Sequence, residues 1–165
     1  MSSTTQSPPE LPPEAIALAS RFFDGARTGQ EDLLAQGLAR GIPPNMMNDR
    51  GDTLLMLAAY HGHASLVSLL LRHGADPNRI NDRGQSILAG VVFKNEEQCV
   101  KLLLEAGADP EIGTPSALDA TRVFKQEQYE RLFLAQIKKL KEAKGGAVNG
   151  DSTGLVNGHG EGGAS

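Results

Sequence analysis

The chain has 165 residues, of which 39% are hydrophobic and 22% are charged, and its formal net charge is −4. This length predicts a single domain with enough chain for a substantial core. The net negative charge argues against nucleic acid as a partner. No apolar run approaches the length of a membrane span, and the N-terminus lacks the pattern of a signal peptide, so we expect no membrane association.

The single cysteine, Cys99, excludes an intrachain disulfide. A reducing compartment is the simplest interpretation, and we expect an intracellular protein, cytoplasmic or nuclear or both. Aromatic residues make up only 4% of the chain and tryptophan is absent. Such a composition suits a stack of helices built from Leu, Ala and Val.

The N-terminal part of the chain divides into a polar segment and a first helical unit. Residues 1–13 are rich in Ser, Thr, Pro and Gln, which predicts disorder. Residues 14–27 carry apolar side chains at helical spacing. The unit 14–47 is a degenerate copy of the next unit along the chain, because Gly29, Gly41 and Asn45 recur thirty-three residues later as Gly62, Gly74 and Asn78. We expect it to cap the fold.

The stretch 48–80 is the pattern around which the rest of the chain is organised. Its opening turn, Asn48-Asp49-Arg50-Gly51, returns thirty-three residues later as Asn81-Asp82-Arg83-Gly84. A fixed period of this size predicts a stacked-repeat architecture. Asn, Asp and Gly are turn residues, so each unit is expected to open with a tight turn.

Each unit then reads as a short helix, a longer helix and a loop. Thr53 and Ser86 are expected to be N-caps of the short helix. Gly62 is expected to end that helix and Gly74 the next one, since glycine accepts the left-handed conformation. One such unit cannot bury its apolar face alone and therefore needs neighbours.

The unit 81–113 keeps this plan with two substitutions. Asn95 stands where Gly62 stood, and asparagine also tolerates the left-handed region. Cys99 stands where the previous unit has Leu66, so we expect a buried small hydrophobic side chain.

The last unit, 114–144, is shortened by about three residues, since Ser116 follows Ser86 by thirty positions. Its final helix is predicted from about Glu127 to Lys144, ending at the glycine pair Gly145 and Gly146. The predicted apolar stripe of this helix is Leu132, Phe133, Ile137 and Leu140. Residues 145–165 are Gly-rich and predicted to be disordered.

In its two central units the chain resembles the ankyrin repeat family, whose period is about 33 residues with a T-P-L-H-x-A signature. Leu54 and Met56 depart from the signature Pro and His. The resemblance implies an all-α ankyrin-repeat solenoid over residues 14–144. We expect about four stacked helix-turn-helix units with turn fingers, hence eight helices, no sheet core and disordered tails.

Candidate chemistry is sparse, and we predict no enzyme, no catalytic residue, no metal and no cofactor. His61, His63 and His73 lack a completing ligand set with recognisable spacing. A buried Cys99 would have a raised pKa and low reactivity. The carboxylates of Asp52, Asp82 and Asp119 fall at turns and near caps, and the glycines form no phosphate-binding loop. Four lysines lie near the end of the last helix: Lys138, Lys139, Lys141 and Lys144. Such a cluster can be a weak nuclear-import or anion-binding patch. More commonly it is only a solvated helix end.

The resemblance also implies a non-catalytic scaffold or adaptor that binds a protein partner, as yet unidentified, through a concave face made of the fingers and the first helices. We expect the chain to act as a monomer. The alternative is a regulatory subunit or inhibitor of an enzyme or transcription complex, with the nucleus as a candidate location. Tyr60 and Phe93 occupy the same repeat position and are predicted to lie side by side on that face. The predicted binding residues are Asp49, Arg50, Asp52, Met56, Tyr60, His61, Asp82, Arg83, Gln85, Phe93, Lys94, Val123 and Phe124.

Overall fold

The computed structural model describes residues 10–153, and the side chains as far as residue 145. Within these residues the fold consists of eight helices without a β-strand, as predicted. In chain order they are α1 (Pro13–Thr28), α2 (Glu31–Ala39), α3 (Leu54–Tyr60), α4 (Ala64–Arg72), α5 (Ile87–Lys94), α6 (Glu97–Glu105), α7 (Ala117–Val123) and α8 (Glu127–Thr153).

The helices form four pairs stacked in two layers. The first helices of the pairs pack in a row, α1 on α3, α3 on α5 and α5 on α7. In the second layer α2 packs on α4 and α4 packs on α6. Each first helix also contacts its own second helix. Every unit therefore buries its apolar faces against its neighbours, which is how a repeat stack becomes stable.

The first helices of the last three pairs begin at hydroxyl caps. The side-chain oxygens of Thr53, Ser86 and Ser116 accept hydrogen bonds from the amide three residues later, at 3.1, 3.2 and 3.1 Å. These bonds satisfy donors that the first turn of a helix leaves without a partner. The predicted caps at Thr53 and Ser86 are confirmed.

We expect Thr53→Ala to lower the free energy of unfolding by about 1 kcal/mol. Thr53 is buried, so the amide of Met56 would lose its acceptor without gaining water. Denaturant titration followed by circular dichroism measures the change. Ser20→Ala, at an exposed position in α1, is the matched control and should be neutral. Equal stability of the two variants would place the start of α3 elsewhere.

Turns between the paired helices also follow the prediction. Gly62 has φ of 76°, and Asn95 takes its place in the next unit with φ of 57°. Both lie in the left-handed region, where asparagine is the most tolerant residue after glycine. Asn95 therefore adopts the left-handed turn conformation that was predicted for this position.

The core lies between the two helix layers and is formed by side chains of Leu, Val, Ala and Phe. Leu70 and Leu103 are fully buried at equivalent positions of α4 and α6. Cys99 is also buried, as predicted. Burial raises the pKa of its thiol to about 11, and the nearby Glu96 carboxylate adds to the rise. At neutral pH the thiol is therefore protonated.

The buried face of α8 differs from the predicted stripe. Phe133 and Ile137 are buried, but Leu132 is 41% exposed. Tyr129 and Gln136 complete the buried face instead. Tyr129, Phe133 and Gln136 follow the spacing i, i+4, i+7 of one helical face, and Leu132 lies to one side of it.

The end of α8 also differs from the prediction. The helix continues through the glycine pair to Thr153 and does not stop at Gly145. Glycine weakens a helix by roughly 1 kcal/mol per residue relative to alanine but keeps its amide donor, so it does not forbid helical hydrogen bonding. Residues 154–165 of the predicted tail, and residues 1–9 of the predicted N-terminal segment, lie outside the described residues.

Candidate functional site

Two turn fingers, residues 47–53 and 80–86, project from the first-helix layer. Each is closed at its base by an antiparallel bridge, Met47 with Thr53 and Ile80 with Ser86. Inside each finger one asparagine side chain holds the backbone. The side-chain oxygen of Asn48 accepts hydrogen bonds from the backbone amides two and four residues later, both at 2.9 Å. The side-chain oxygen of Asn81 accepts the equivalent two bonds at 3.0 and 2.9 Å.

The fingers are joined to each other. The amide of Asp82 donates to the carbonyl of Arg50 at 3.0 Å, and the side-chain amide of Asn81 donates to a carboxylate oxygen of Asp52 at 2.9 Å. The next loop continues the row, since the amide of Thr114 donates to the carbonyl of Gly84 at 2.8 Å. Hydrogen bonds therefore connect the fingers into one continuous wall.

A groove of about 560 Å³ lies between this wall and helices α3, α5 and α7. Nine of the thirteen predicted binding residues line it: Arg50, Asp52, Met56, Tyr60, His61, Arg83, Gln85, Phe93 and Phe124. Four do not line it: Asp49, Asp82, Lys94 and Val123. The groove thus unites residues from three successive units.

Three large aromatic side chains remain accessible in the groove. Tyr60 is 37% exposed, Phe93 is 56% exposed and Phe124 is 45% exposed. The rings of Phe93 and Phe124 meet edge to face at 5.4 Å between centroids. The Lys94 ammonium lies 5.2 Å from the centre of the Tyr60 ring, so this lysine borders the groove without lining it.

A comparison with protein families agrees with the repeat period and with the stack of paired helices. The family described as ankyrin repeats, in three copies, matches residues 22–114, more than half of the chain. The chain belongs to the ankyrin repeat family. Ankyrin repeats are generally protein–protein interaction modules, and the family is a non-enzymatic interaction fold.

A curated relative agrees with this family. An ankyrin repeat protein of Pseudomonas aeruginosa is 52% identical to the chain over 66 residues. The match covers 39% of this chain and 39% of the relative, so it spans about two fifths of either protein.

Within the ankyrin groove, the position of Met56 differs from the prediction. Met56 was predicted to be a binding residue and lines the groove, but it is only 9% exposed, so little of its side chain is accessible to a partner. Its place follows the all-apolar sequence of α3, where five neighbouring side chains are buried as well. In contrast, the equivalent Ala89 of α5 is too short to fill the same space.

Several groove residues were missed by sequence reasoning: Leu57, Asn81, Ser86, Ala89, Gly90, Pro115 and Ala120. Three of them, Leu57, Gly90 and Ala120, occupy one equivalent position in successive units. Repeat alignment would have revealed this row if the floor of the groove had been considered along with its walls.

The charged finger side chains that line the groove are two arginines, Arg50 and Arg83, and one aspartate, Asp52. Neither Arg50 nor Arg83 forms an ion pair within the described part of the chain. Asp52 is the acidic residue that lines the groove, and its carboxylate accepts from Asn81. Partial burial lowers the pKa of His61, and the positive charges of its neighbours lower it further. The lowered pKa favours the neutral form of His61, so the two arginines are the main positive charges among the groove-lining side chains.

The other ionisable candidates have structural partners. A ring nitrogen of His63 lies 2.8 Å from the carbonyl of Arg27, and one of His73 lies 2.9 Å from the carbonyl of Leu69. The Asp119 carboxylate accepts from the hydroxyl of Ser116 at 2.8 Å. Among the described residues, no three metal-ligating side chains come together, and no helix is long and apolar enough to cross a membrane.

Proposed function

We propose that this ankyrin stack is a non-catalytic scaffold that holds a protein partner in the groove between its fingers and its first helices. The observation that carries the proposal is the exposure of Tyr60, Phe93 and Phe124 within one groove. A folded chain gains free energy by covering large apolar side chains, so a contiguous exposed set points to a binding surface.

The residue types support the same conclusion. Aromatic side chains and arginine are enriched at the positions that dominate binding energy in protein interfaces. Here Tyr60 and Phe93 stand on two packed helices, while Arg50 and Arg83 stand on fingers with a hydrogen-bonded backbone. Because these elements are already ordered, little conformational entropy would oppose association.

Site-specific photo-crosslinking tests the location. The photoreactive residue benzoylphenylalanine replaces Phe93 in one sample and Leu134 in a matched control. Leu134 is 48% exposed on α8 and does not line the groove. We expect a defined protein to be cross-linked from position 93 in cell extract and not from position 134.

Mass spectrometry identifies the cross-linked protein. Capture of one protein from position 134 alone would place the interface on the second-helix layer and contradict the proposal. Equal, non-selective labelling from both positions would show that the groove has no dedicated partner.

A further inference from the structure

The floor of the groove contains a glycine that the packing of the fold does not require. Gly90 lies in the interior of α5, where glycine is less favourable than alanine. A Cβ built there would meet one side chain, Tyr60, at 3.4 Å, which is ordinary van der Waals contact. The fold therefore has room for alanine at this position.

Because Gly90 has no side chain, it leaves a depression in the floor of the groove. The equivalent residues in the flanking units are Leu57 and Ala120, which both have side chains lining the same floor. Tyr60 and Phe93 stand at equivalent positions of α3 and α5 beside it. The depression is thus bordered by aromatic side chains and open to solvent.

The charged groups that line the groove differ in whether they already have a hydrogen-bond or ion-pair partner. Arg50 and Arg83 line the same groove from the fingers, with hydrogen-bonded backbones and without an ion pair in the described part of the chain. The Asp52 carboxylate already accepts from Asn81. The fingertip carboxylates of Asp49 and Asp82 lie outside the groove lining. A ligand in the groove would therefore meet two available guanidinium groups.

We propose that the groove binds an acidic peptide segment of its partner, with one aromatic or bulky aliphatic side chain over Gly90 and neighbouring carboxylates on Arg50 and Arg83. This inference rests on the proposed function and specifies the chemistry of the partner. Guanidinium groups bind carboxylates by paired, charge-assisted hydrogen bonds. Both arginines line the groove from its finger side, where they are available to carboxylates of a bound peptide.

Two other kinds of ligand fit less well. A cationic segment would be repelled by both arginines, and the face of Tyr60 is already occupied by the Lys94 ammonium. A nucleic acid would also find arginine and aromatic rings, but the chain has a net charge of −4, which repels a polyanion outside the groove. A short acidic peptide can avoid that repulsion because its charge stays near the arginines.

Random short peptides displayed on phage, selected on the full chain, test the proposal. The enriched peptides are synthesised with a fluorescent label and titrated by fluorescence anisotropy. A labelled single-stranded oligouridine is titrated in parallel as the nucleic-acid probe. The variants are Gly90→Ala, Phe93→Ala and the double change Arg50→Gln with Arg83→Gln. The control is Arg72→Gln with Arg131→Gln, which removes two exposed arginines from outside the groove.

We expect the enriched peptides to combine acidic residues with one bulky apolar side chain. The groove arginine variant should bind them at least about tenfold more weakly and lose most of the salt dependence, while the control binds normally. Gly90→Ala should raise the melting temperature yet weaken binding several-fold. A merely structural role of Gly90 would change only the melting temperature.

The possible failures are distinguishable. Enriched peptides without acidic residues, or a groove arginine variant that binds normally, would overturn the acidic-peptide inference alone, provided that Phe93→Ala still weakens binding. Peptides that bind every groove variant normally would overturn the proposed function as well. Tighter, arginine-dependent binding of oligouridine than of any selected peptide would show that the groove serves nucleic acid.

Discussion

Leu70→Ala is expected to lower the free energy of unfolding by about 2–5 kcal/mol, the range for truncation of a buried leucine. Leu70 is fully buried in α4, and its equivalents Leu103 in α6 and Phe133 in α8 are fully buried too. Helix α4 packs on α2 and on α6, so a cavity here loosens contacts on both sides of the unit. In a repeat stack such an interior loss weakens the coupling between neighbours.

Denaturant titration followed by far-ultraviolet circular dichroism measures this loss. The matched control is Leu134→Ala, which truncates a leucine that is 48% exposed on α8 and should change stability by no more than about 0.5 kcal/mol. If Leu70→Ala costs less than about 1 kcal/mol, the buried face of α4 has been assigned to the wrong side.

The general fold was predictable because the repeat ties local signals to long-range packing. Thr53 and Ser86 are good caps by chemistry alone, but their separation by one period also predicts that the helices they start will lie side by side. The same period placed Asn95 at a left-handed turn and Cys99 in the core. Both placements are confirmed by φ of 57° and by burial.

The last helix was predicted less well because α8 ends the described stack and its buried face follows different contacts. Gln136 is buried although glutamine is normally an exposed residue. Its side-chain amide donates to the carbonyls of Leu104 and Ala108 at 3.0 and 3.3 Å. These bonds offset the desolvation of the amide, but a hydropathy pattern cannot anticipate them.

Sequence reasoning predicted the residues in the walls of the candidate groove but missed the row of residues in its floor. The finger arginines and the outward aromatics follow from the repeat register. Val123 and Phe124 show the limit of that register, since Val123 is 71% exposed outside the groove lining whereas Phe124 turns inward onto Phe93. Side-chain direction depends on local packing, and residue spacing alone does not determine it.

The double change Tyr60→Ala with Phe93→Ala is expected to weaken partner binding by at least tenfold, about 1.4 kcal/mol. The substitutions remove two large aromatic side chains from the groove. Aromatic side chains of this kind carry most of the binding energy in protein interfaces. The stability loss should be smaller than that of Leu70→Ala. Tyr60 and Phe93 are partly exposed, and the edge contact of Phe93 with Phe124 is worth only about 0.5–1.5 kcal/mol.

Binding to the protein recovered by cross-linking at position 93 is measured by surface plasmon resonance beside a thermal melt of each variant. The control double change is Leu132→Ala with Leu134→Ala, which removes two exposed apolar side chains from α8 outside the groove. We expect the control to bind with the affinity of the unmodified chain, because exposed apolar residues matter only where a partner covers them. The opposite result, with normal binding by the aromatic double variant and lost binding by the control, would move the interface to α8. Loss of binding by the aromatic double variant together with a large fall in its melting temperature would show that the aromatic rings support the fold more than they serve a partner.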